Sequence, residues 1–437
     1  MKGIGHIAKN ILNGIADAGE NFIDDTLRRG TPLQKLKNLS LDLVSHKGVA
    51  SGMALAREVV SAYQHLDKDE RKAFFLWLAK DLGPDKKAVE SAARAFLEHP
   101  GEEAVEALRK NTKSRRYKLF DRMNMAPDGT EAVVELRRDL MQELKKVPSL
   151  GVIDADLKEL LKGWFNPGFL ELRRIDWETE ASILEKIIRY ETVHNIASWN
   201  DLKIRLVENR RCFAFFHPAL EDEPLIFVEV ALTRGIASSM ESLFDEGDED
   251  PDRYDTAIFY SINNCQKGLS GIPLGNFLIK RVVAEIEREF PSIRKFSSLS
   301  PVTGFSRWLV KQTQKKKPDL PEMDKMMLML LNKTDWHKDT RSISRLKKPL
   351  MQACAYYLLR EKDRDRPVNG VARFHFGNGA ELYRINWMAN PSPHGLEDSF
   401  GIMVNYRYNP KDIESNHEEY ISRGKLAALK SVRALLS

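Results

Sequence analysis

A chain of 437 residues with 42% apolar and 30% charged residues is too long for one ordinary core and too apolar to be disordered, so two globular domains are expected. The formal net charge of +5 is small for this length, and Lys and Arg are interspersed with Asp and Glu. Short runs such as Lys315-Lys316-Lys317 therefore read as solvated surface and argue against a nucleic-acid partner.

No apolar stretch approaches a membrane span, Leu225–Leu232 being among the longest, so no membrane association is expected. Residues Met1 to Asp25 contain acidic side chains and no long apolar segment, which argues against a cleaved signal. The ending Leu435-Leu436-Ser437 is not a peroxisomal address, and the expected location is cytoplasmic. Cys212, Cys265 and Cys354 form no CxxC pair; they suit buried packing in a reducing compartment better than disulfides or structural zinc.

The first 165 residues read as a helical bundle with short loops. Asp67 and Glu70 have capping-box spacing before the run Ala73–Leu78, and Gly83-Pro84 stops that helix. Ala88–Leu97 and Ala104–Leu108 continue the helical pattern, punctuated by His99-Pro100-Gly101 and Pro127-Asp128-Gly129. Thr130 is expected to cap a helix whose apolar face is Val133, Leu136, Leu140 and Leu144.

After Gly163-Trp164-Phe165-Asn166-Pro167-Gly168 the pattern changes. A helix from about Glu178 to Val193 precedes a hairpin of Cys212–Phe216 and Leu225–Leu232. Thr256–Ile262 reads as a strand, followed by the glycine-punctuated Gln266–Gly275 and a helix from Leu274 to Phe290. Phe296–Leu299 is a further strand, and a Lys- and Met-rich helical stretch runs to about Arg360. Strands are expected near Val371–Phe376, Glu381–Ile385 and Ile402–Tyr406. The fold class is thus α+β multidomain: a helical bundle over 1–165 followed by an α/β domain over 166–437.

Three segments carry chemistry. The loop with Gly268, Gly271 and Gly275 lies between a strand and a helix N-terminus, where free backbone N–H groups and a positive dipole end suit a phosphate. Its spacing is neither a Walker A nor a Rossmann fingerprint, but it resembles the pyrophosphate loop of the GCN5-related N-acetyltransferase fold. Phe296–Phe305 places Ser300 before a proline without a GxSxG elbow, so a turn role competes with a catalytic one. In Arg373–Gly379, His375 on an alternating strand would point away from Phe374 and Phe376, into a cleft or into water. None of the ten histidines shows metal-ligand spacing.

Together these segments resemble the malonyl-CoA decarboxylase family. The resemblance is carried by Ala257–Ile262, Gly268–Gly271 with Leu274-Gly275, Phe277–Val282, Arg288–Pro291, Phe296–Gly304, Arg384–Met388 and Asn405–Tyr408, and by Glu223–Thr233. It covers nearly everything after about residue 165 and implies an acetyltransferase-like catalytic domain with a mixed sheet. It further implies a carboxy-lyase that converts malonyl-CoA to acetyl-CoA with no cofactor and no metal. On this resemblance Ser300 is the proton acceptor or carboxylate-orienting group and His375 the proton donor. The substrate contacts are Ser270, Gly271, Ile272, Pro273, Leu274, Gly275 and Asn276, together with Ser300 and His375. A homo-oligomer built on the helical domain is implied, a tetramer among the candidates. One departure stands out: Val302 and Thr303 replace the family's isoleucine and proline, which implies a local adjustment of that turn. The competing readings are a CoA-dependent N-acyltransferase on the same fold and a non-catalytic CoA-binding scaffold.

Overall fold

The computed structural model describes residues 2–20, 23, 25–45, 48–244, 253–313, 330–331, 333 and 335–436. Lys315-Lys316-Lys317 and most of the Lys- and Met-rich stretch lie outside them. The chain forms two compact units. One comprises Met1–Glu171, Phe216–Leu225 and Asn264–Leu274; the other comprises Leu172–Phe215, Ile226–Asn263 and Gly275–Ser437.

The first unit is helical, and its helix ends follow from local chemistry. Asp67 and Glu70 form the reciprocal capping box at the start of Lys68–Asp81, with Glu70 N–H to Asp67 Oδ1 at 2.8 Å and Asp67 N–H to Glu70 Oε2 at 3.1 Å. Such a cap stabilises a helix by about 1 kcal/mol. Phe74, Phe75 and Leu78 of that helix are fully buried, as are Leu119, Phe120 and Leu157 of its neighbours. Thr130 is not the cap expected of it. It lies inside the helix Gly129–Leu144, and its hydroxyl donates to Asn124 Oδ1 at 2.5 Å. Gly129 leads instead, because a Cβ there would sit 2.1 Å from the Met123 carbonyl oxygen.

The second unit is built on an eight-stranded mixed sheet. Its strands are β1 (Glu171–Ile175), β2 (Arg210–Phe216), β3 (Ile226–Thr233), β4 (Thr256–Asn264), β5 (Lys295–Ser298) and β6 (Ser300–Pro301). After the small hairpin β7 (Lys362–Asp363) and β8 (Arg366–Pro367) come β9 (Glu381–Asn386) and β10 (Met403–Tyr408). The order is β1-β2-β3-β4-β5-β10-β6, with β9 on the other side of β10. β2 and β3 form the expected antiparallel hairpin, and their near-continuous apolar text is buried along both strands. β4 and β5 are parallel, joined by the helix Gly275–Glu289.

One expected strand is a helix. Gly370–Gly377 is helical, with Asn369 Oδ1 accepting the Ala372 N–H at 2.7 Å as its cap. The β-forming character of Val371, Phe374 and Phe376 is overridden by that cap and by tertiary packing. His375 therefore does not alternate with its neighbours. Both His375 and Phe376 are buried, and Ala372 shares the His375 face at helical spacing.

Candidate active site

The serine-rich run Ser297–Ser300 lies where the sheet splits. β10 pairs with β5 through Arg407 and Tyr408, and with β6 through Met403 and Val404. Between these registers the ladder is replaced by side-chain bonds. Asn405 Nδ2 donates to the Ser298 carbonyl at 2.8 Å, and the Tyr406 N–H reaches Ser298 Oγ at 3.3 Å. Small hydroxyl side chains suit this break because they satisfy buried backbone groups without bulk. The kink leaves Ser300 in β6, buried and facing the helix Gly370–Gly377.

There the structure brings Ser300 and His375 together. Ser300 Oγ lies 2.9 Å from His375 Nε2 and 2.8 Å from Ser298 Oγ. On the far side of the ring, His375 Nδ1 lies 2.6 Å from the Tyr408 hydroxyl. Tyr406 stacks on the imidazole with centroids 4.3 Å apart and planes 13° apart. Tyr406 and Tyr408 reach the same histidine because residues two apart on a strand share a face. That periodicity was available in the text Asn405–Tyr408, but the partner became visible only when His375 proved helical.

The hydrogen-bond inventory selects a tautomer. Tyr408 has one hydroxyl proton and, among the described residues, only His375 Nδ1 as its acceptor. Assigning that proton to the bond leaves Nε2–H to donate to Ser300, whose own hydroxyl then donates to Ser298. Every polar atom in the line is satisfied this way. Burial alone pulls the His375 pKa down to about 3, instead of leaving it near its ordinary value, so the ring is neutral near pH 7. Burial likewise keeps the Tyr408 phenol protonated, its pKa raised well above the ordinary range.

A second, half-buried histidine, His194, is pulled down to about 4 by desolvation and then by the Arg205 charge. Both groups have folded-state pKa values below the unfolded value near 6.5. Between those limits the unfolded chain binds more protons, so stability falls as pH falls. From pH 6.5 to 5, each such histidine is expected to contribute a loss of stability in urea denaturation that steepens toward ~1.4 kcal/mol per pH unit as the unfolded ring becomes fully protonated. Because Glu229 contributes with the opposite sign over this range, the check is the change in slope when His194 is replaced by glutamine; an unchanged slope would mean that this ring is not held neutral in the folded protein.

Asn369 joins the two halves of the pair. Beyond capping the His375 helix, its Nδ2 donates to the Thr303 carbonyl at 3.0 Å and lies 3.4 Å from Thr303 Oγ1. The same carbonyl accepts from the Tyr357 hydroxyl at 3.1 Å, and the Gly304 N–H donates to Asp398 at 2.9 Å. The turn after Ser300 is thus held from both sides. Thr303, the departure noted in the sequence, supplies a hydroxyl that a proline would lack.

Gly275 opens the helix Gly275–Glu289, and a Cβ there would sit 2.4 Å from the Phe374 ring, next to His375. Only glycine admits that approach. Asn276 lies in the same first turn. Ser270, Gly271, Ile272, Pro273 and Leu274 belong to the loop of the first unit, where Gly271 has φ +79°. Among the described residues no group of three His, Cys, Asp or Glu side chains is placed to hold a metal ion.

Comparison with known proteins assigns the chain. The family profile described as "Malonyl-CoA decarboxylase C-terminal domain" matches residues 168–437, and "Malonyl-CoA decarboxylase N-terminal domain" matches residues 82–165. The chain is 36% identical to the mitochondrial malonyl-CoA decarboxylase of Anser anser anser over 97% of its length and 90% of the relative's. It is 35% identical to that of Rattus norvegicus, over 95% and 91%. Among solved structures, the malonyl-CoA decarboxylase of Rhodopseudomonas palustris superposes with a TM-score of 0.88 at 44% identity, covering 93% of this chain and 100% of that one. The Cupriavidus metallidurans structure superposes at 0.72 and 33% identity, over 92% and 99%. With both profiles in tandem and relatives aligned over nearly their whole length, this chain belongs to the malonyl-CoA decarboxylase family.

Proposed function

We propose that this protein decarboxylates malonyl-CoA to acetyl-CoA and CO2 without metal or prosthetic group, using Ser300 and His375 as the reacting pair. The observation that carries this reading is the buried line Tyr408–His375–Ser300–Ser298, with its hydrogen bonds of 2.6, 2.9 and 2.8 Å.

The substrate supplies its own electron sink. The bond from the α-carbon to the carboxylate breaks, its electron pair moves into the thioester carbonyl, and the resulting enolate takes one proton at carbon. Ser300 re-aims its hydroxyl from Ser298 to the incoming carboxylate or to the enolate oxygen; one such donor is worth ~3–4 kcal/mol in a water-excluded site. His375 is neutral until the anion arrives. A carboxylate beside the ring favours its charged form, so one proton enters with the substrate and passes from Nε2 to the α-carbon. Tyr408 then accepts from Nδ1–H, which keeps both ring nitrogens bonded. That proton balances the reaction.

The strand–loop–helix from Thr256 to Glu289 is read as the acetyltransferase-like CoA cradle, with Ser270–Asn276 along the phosphates. The helical segment to residue 165 is read as the assembly domain of a homo-oligomer. In support, the helices Lys86–Glu98 and Glu102–Thr112 bury only Ala92 while Leu97 is 77% and Val105 45% exposed. Among the described residues no helix is long and apolar enough to cross a membrane. The location is read as a reducing compartment, the cytoplasm being one, in keeping with the three buried free thiols Cys212, Cys265 and Cys354.

Purified protein given malonyl-CoA alone should release CO2 and acetyl-CoA in equal amounts, with no effect of chelators or avidin. Turnover that requires an amine acceptor would make it an acyltransferase. Malonyl-CoA binding without turnover would make it a scaffold, and inhibition by a chelator would overturn the metal-free chemistry.

A further inference from the structure

Arg137 is the largest fully buried cation of the first unit among the described residues, and two of its three hydrogen bonds go to one loop. It lies in the helix Gly129–Leu144 with no exposed surface. Its Nη1 donates to the Gly268 carbonyl and its Nη2 to the Ser270 carbonyl, the latter at 2.8 Å. Its Nε donates to Asp154 Oδ1 at 2.8 Å, and Lys158 holds Asp154 Oδ2 at 2.7 Å. Burial pushes the Asp154 carboxyl up, but hydrogen bonds from Lys158 and Arg137 outweigh it and hold the group below its ordinary range. The carboxylate thus anchors the guanidinium by a direct ion pair.

The loop is built to be held this way. Gly268 is pressed on the same helix, where a Cβ would sit 2.0 Å from the Val134 carbonyl oxygen. The N–H groups of Leu269, Ser270, Ile272 and Leu274 are closed on carbonyls within the loop. With the Gly268 and Ser270 carbonyls taken by Arg137, the negative ends of these peptides are turned into the helical unit. The Gly271 N–H, at φ +79°, has no acceptor among the described residues. A loop with its carbonyls sequestered and an N–H left over is suited to an anion; the same loop with free carbonyls would repel one.

We infer that Arg137 is a positioning residue for the nucleotide end of the substrate, fixing the peptide orientations of the phosphate loop from the helical part of the chain. This rests on the reading of Ser270–Asn276 as the CoA phosphate contact. The planar fork that serves two carbonyls and a carboxylate at once cannot be reproduced by an ammonium, so Arg137→Lys is not a neutral change.

The test compares malonyl-CoA with malonyl-pantetheine, which has the same reacting end and no phosphates. Arg137→Lys is expected to raise KM for malonyl-CoA by about tenfold or more while kcat stays within about twofold of wild type, and to leave kcat/KM for malonyl-pantetheine nearly unchanged. A structural fault of the fold would depress both substrates equally. If the variant keeps the wild-type preference for malonyl-CoA, or loses both activities in parallel, the role of Arg137 is overturned. If the wild-type protein itself shows no preference for malonyl-CoA, the phosphate-loop reading fails first, and the inference with it. Should Arg137→Lys fail to fold, Asp154→Asn carries the test. It loosens the anchor while keeping the guanidinium, so a smaller loss of selectivity in the same direction supports the inference and unchanged selectivity overturns it.

Discussion

Replacing His375 by glutamine is expected to lower kcat for malonyl-CoA by two to four powers of ten, about 3–5 kcal/mol of barrier, with a much smaller change in KM. The glutamine amide can still bond Ser300 and fill part of the space against Tyr406, but it has no proton to deliver to carbon at neutral pH. Ser300→Ala should cost about two to three powers of ten, since it removes one aimed hydroxyl and leaves the ring in place. The double variant should be hardly worse than His375→Gln alone, because the two side chains act as a unit and their losses do not add. Steady-state kinetics with CO2 detection measures all three. Turnover within about tenfold of wild type for His375→Gln would remove it from the proton-transfer role.

The largest stability effect is expected at a buried ion pair outside the reacting pair. Glu229 lies in the middle of β3, fully buried opposite Cys212 of β2. Burial pushes its carboxyl up to about 7 even with Arg205 beside it. Arg205 Nη1 donates to Glu229 at 2.7 Å and Nη2 to the His194 carbonyl at 2.6 Å. Arg205→Ala leaves a buried carboxylate without its cation, and equilibrium denaturation at pH 8 should show a loss of about 3–5 kcal/mol. The sign with pH is definite. A carboxyl whose folded pKa is raised contributes stability at low pH and loses it as pH rises through the folded value, so the variant should be less destabilised at pH 6 than at pH 8. Replacing both partners by methionine should recover most of the loss. Equal destabilisation at both pH values would show that Glu229 is not the group left exposed to its own charge.

Segments with strong local signals were legible in advance. The capping box at Asp67 and Glu70 needs only residues three apart. The hairpin of β2 and β3 needs only two apolar runs and a polar turn, and the helix after Gly275 repeats its apolar residues every four positions. The segment around His375 was misread for the opposite reason. Eight residues that include Val371 and the run Phe374-His375-Phe376 carry no decisive periodicity, and the Asn369 cap was weaker text than Phe-His-Phe. Thr130 failed similarly, since a glycine admitted by close backbone contact started the helix one residue earlier.

By itself, then, the sequence determined most of the helices and central strands and the identity of Ser300 and His375 as residues to watch, because these are properties of short-range periodicity and family-specific text, whereas the return of Phe216–Leu225 and Asn264–Leu274 to the first unit has no local signal. Only the tertiary structure decided what those residues do to one another. The 2.9 Å approach of Ser300 to His375 spans 75 positions of chain, Tyr408 closes on the ring from a third element, and Arg137 reaches a loop 131 positions away. Burial, which sets the neutral state of His375, is likewise a sum over every element packed around it. No local pattern encodes such a sum.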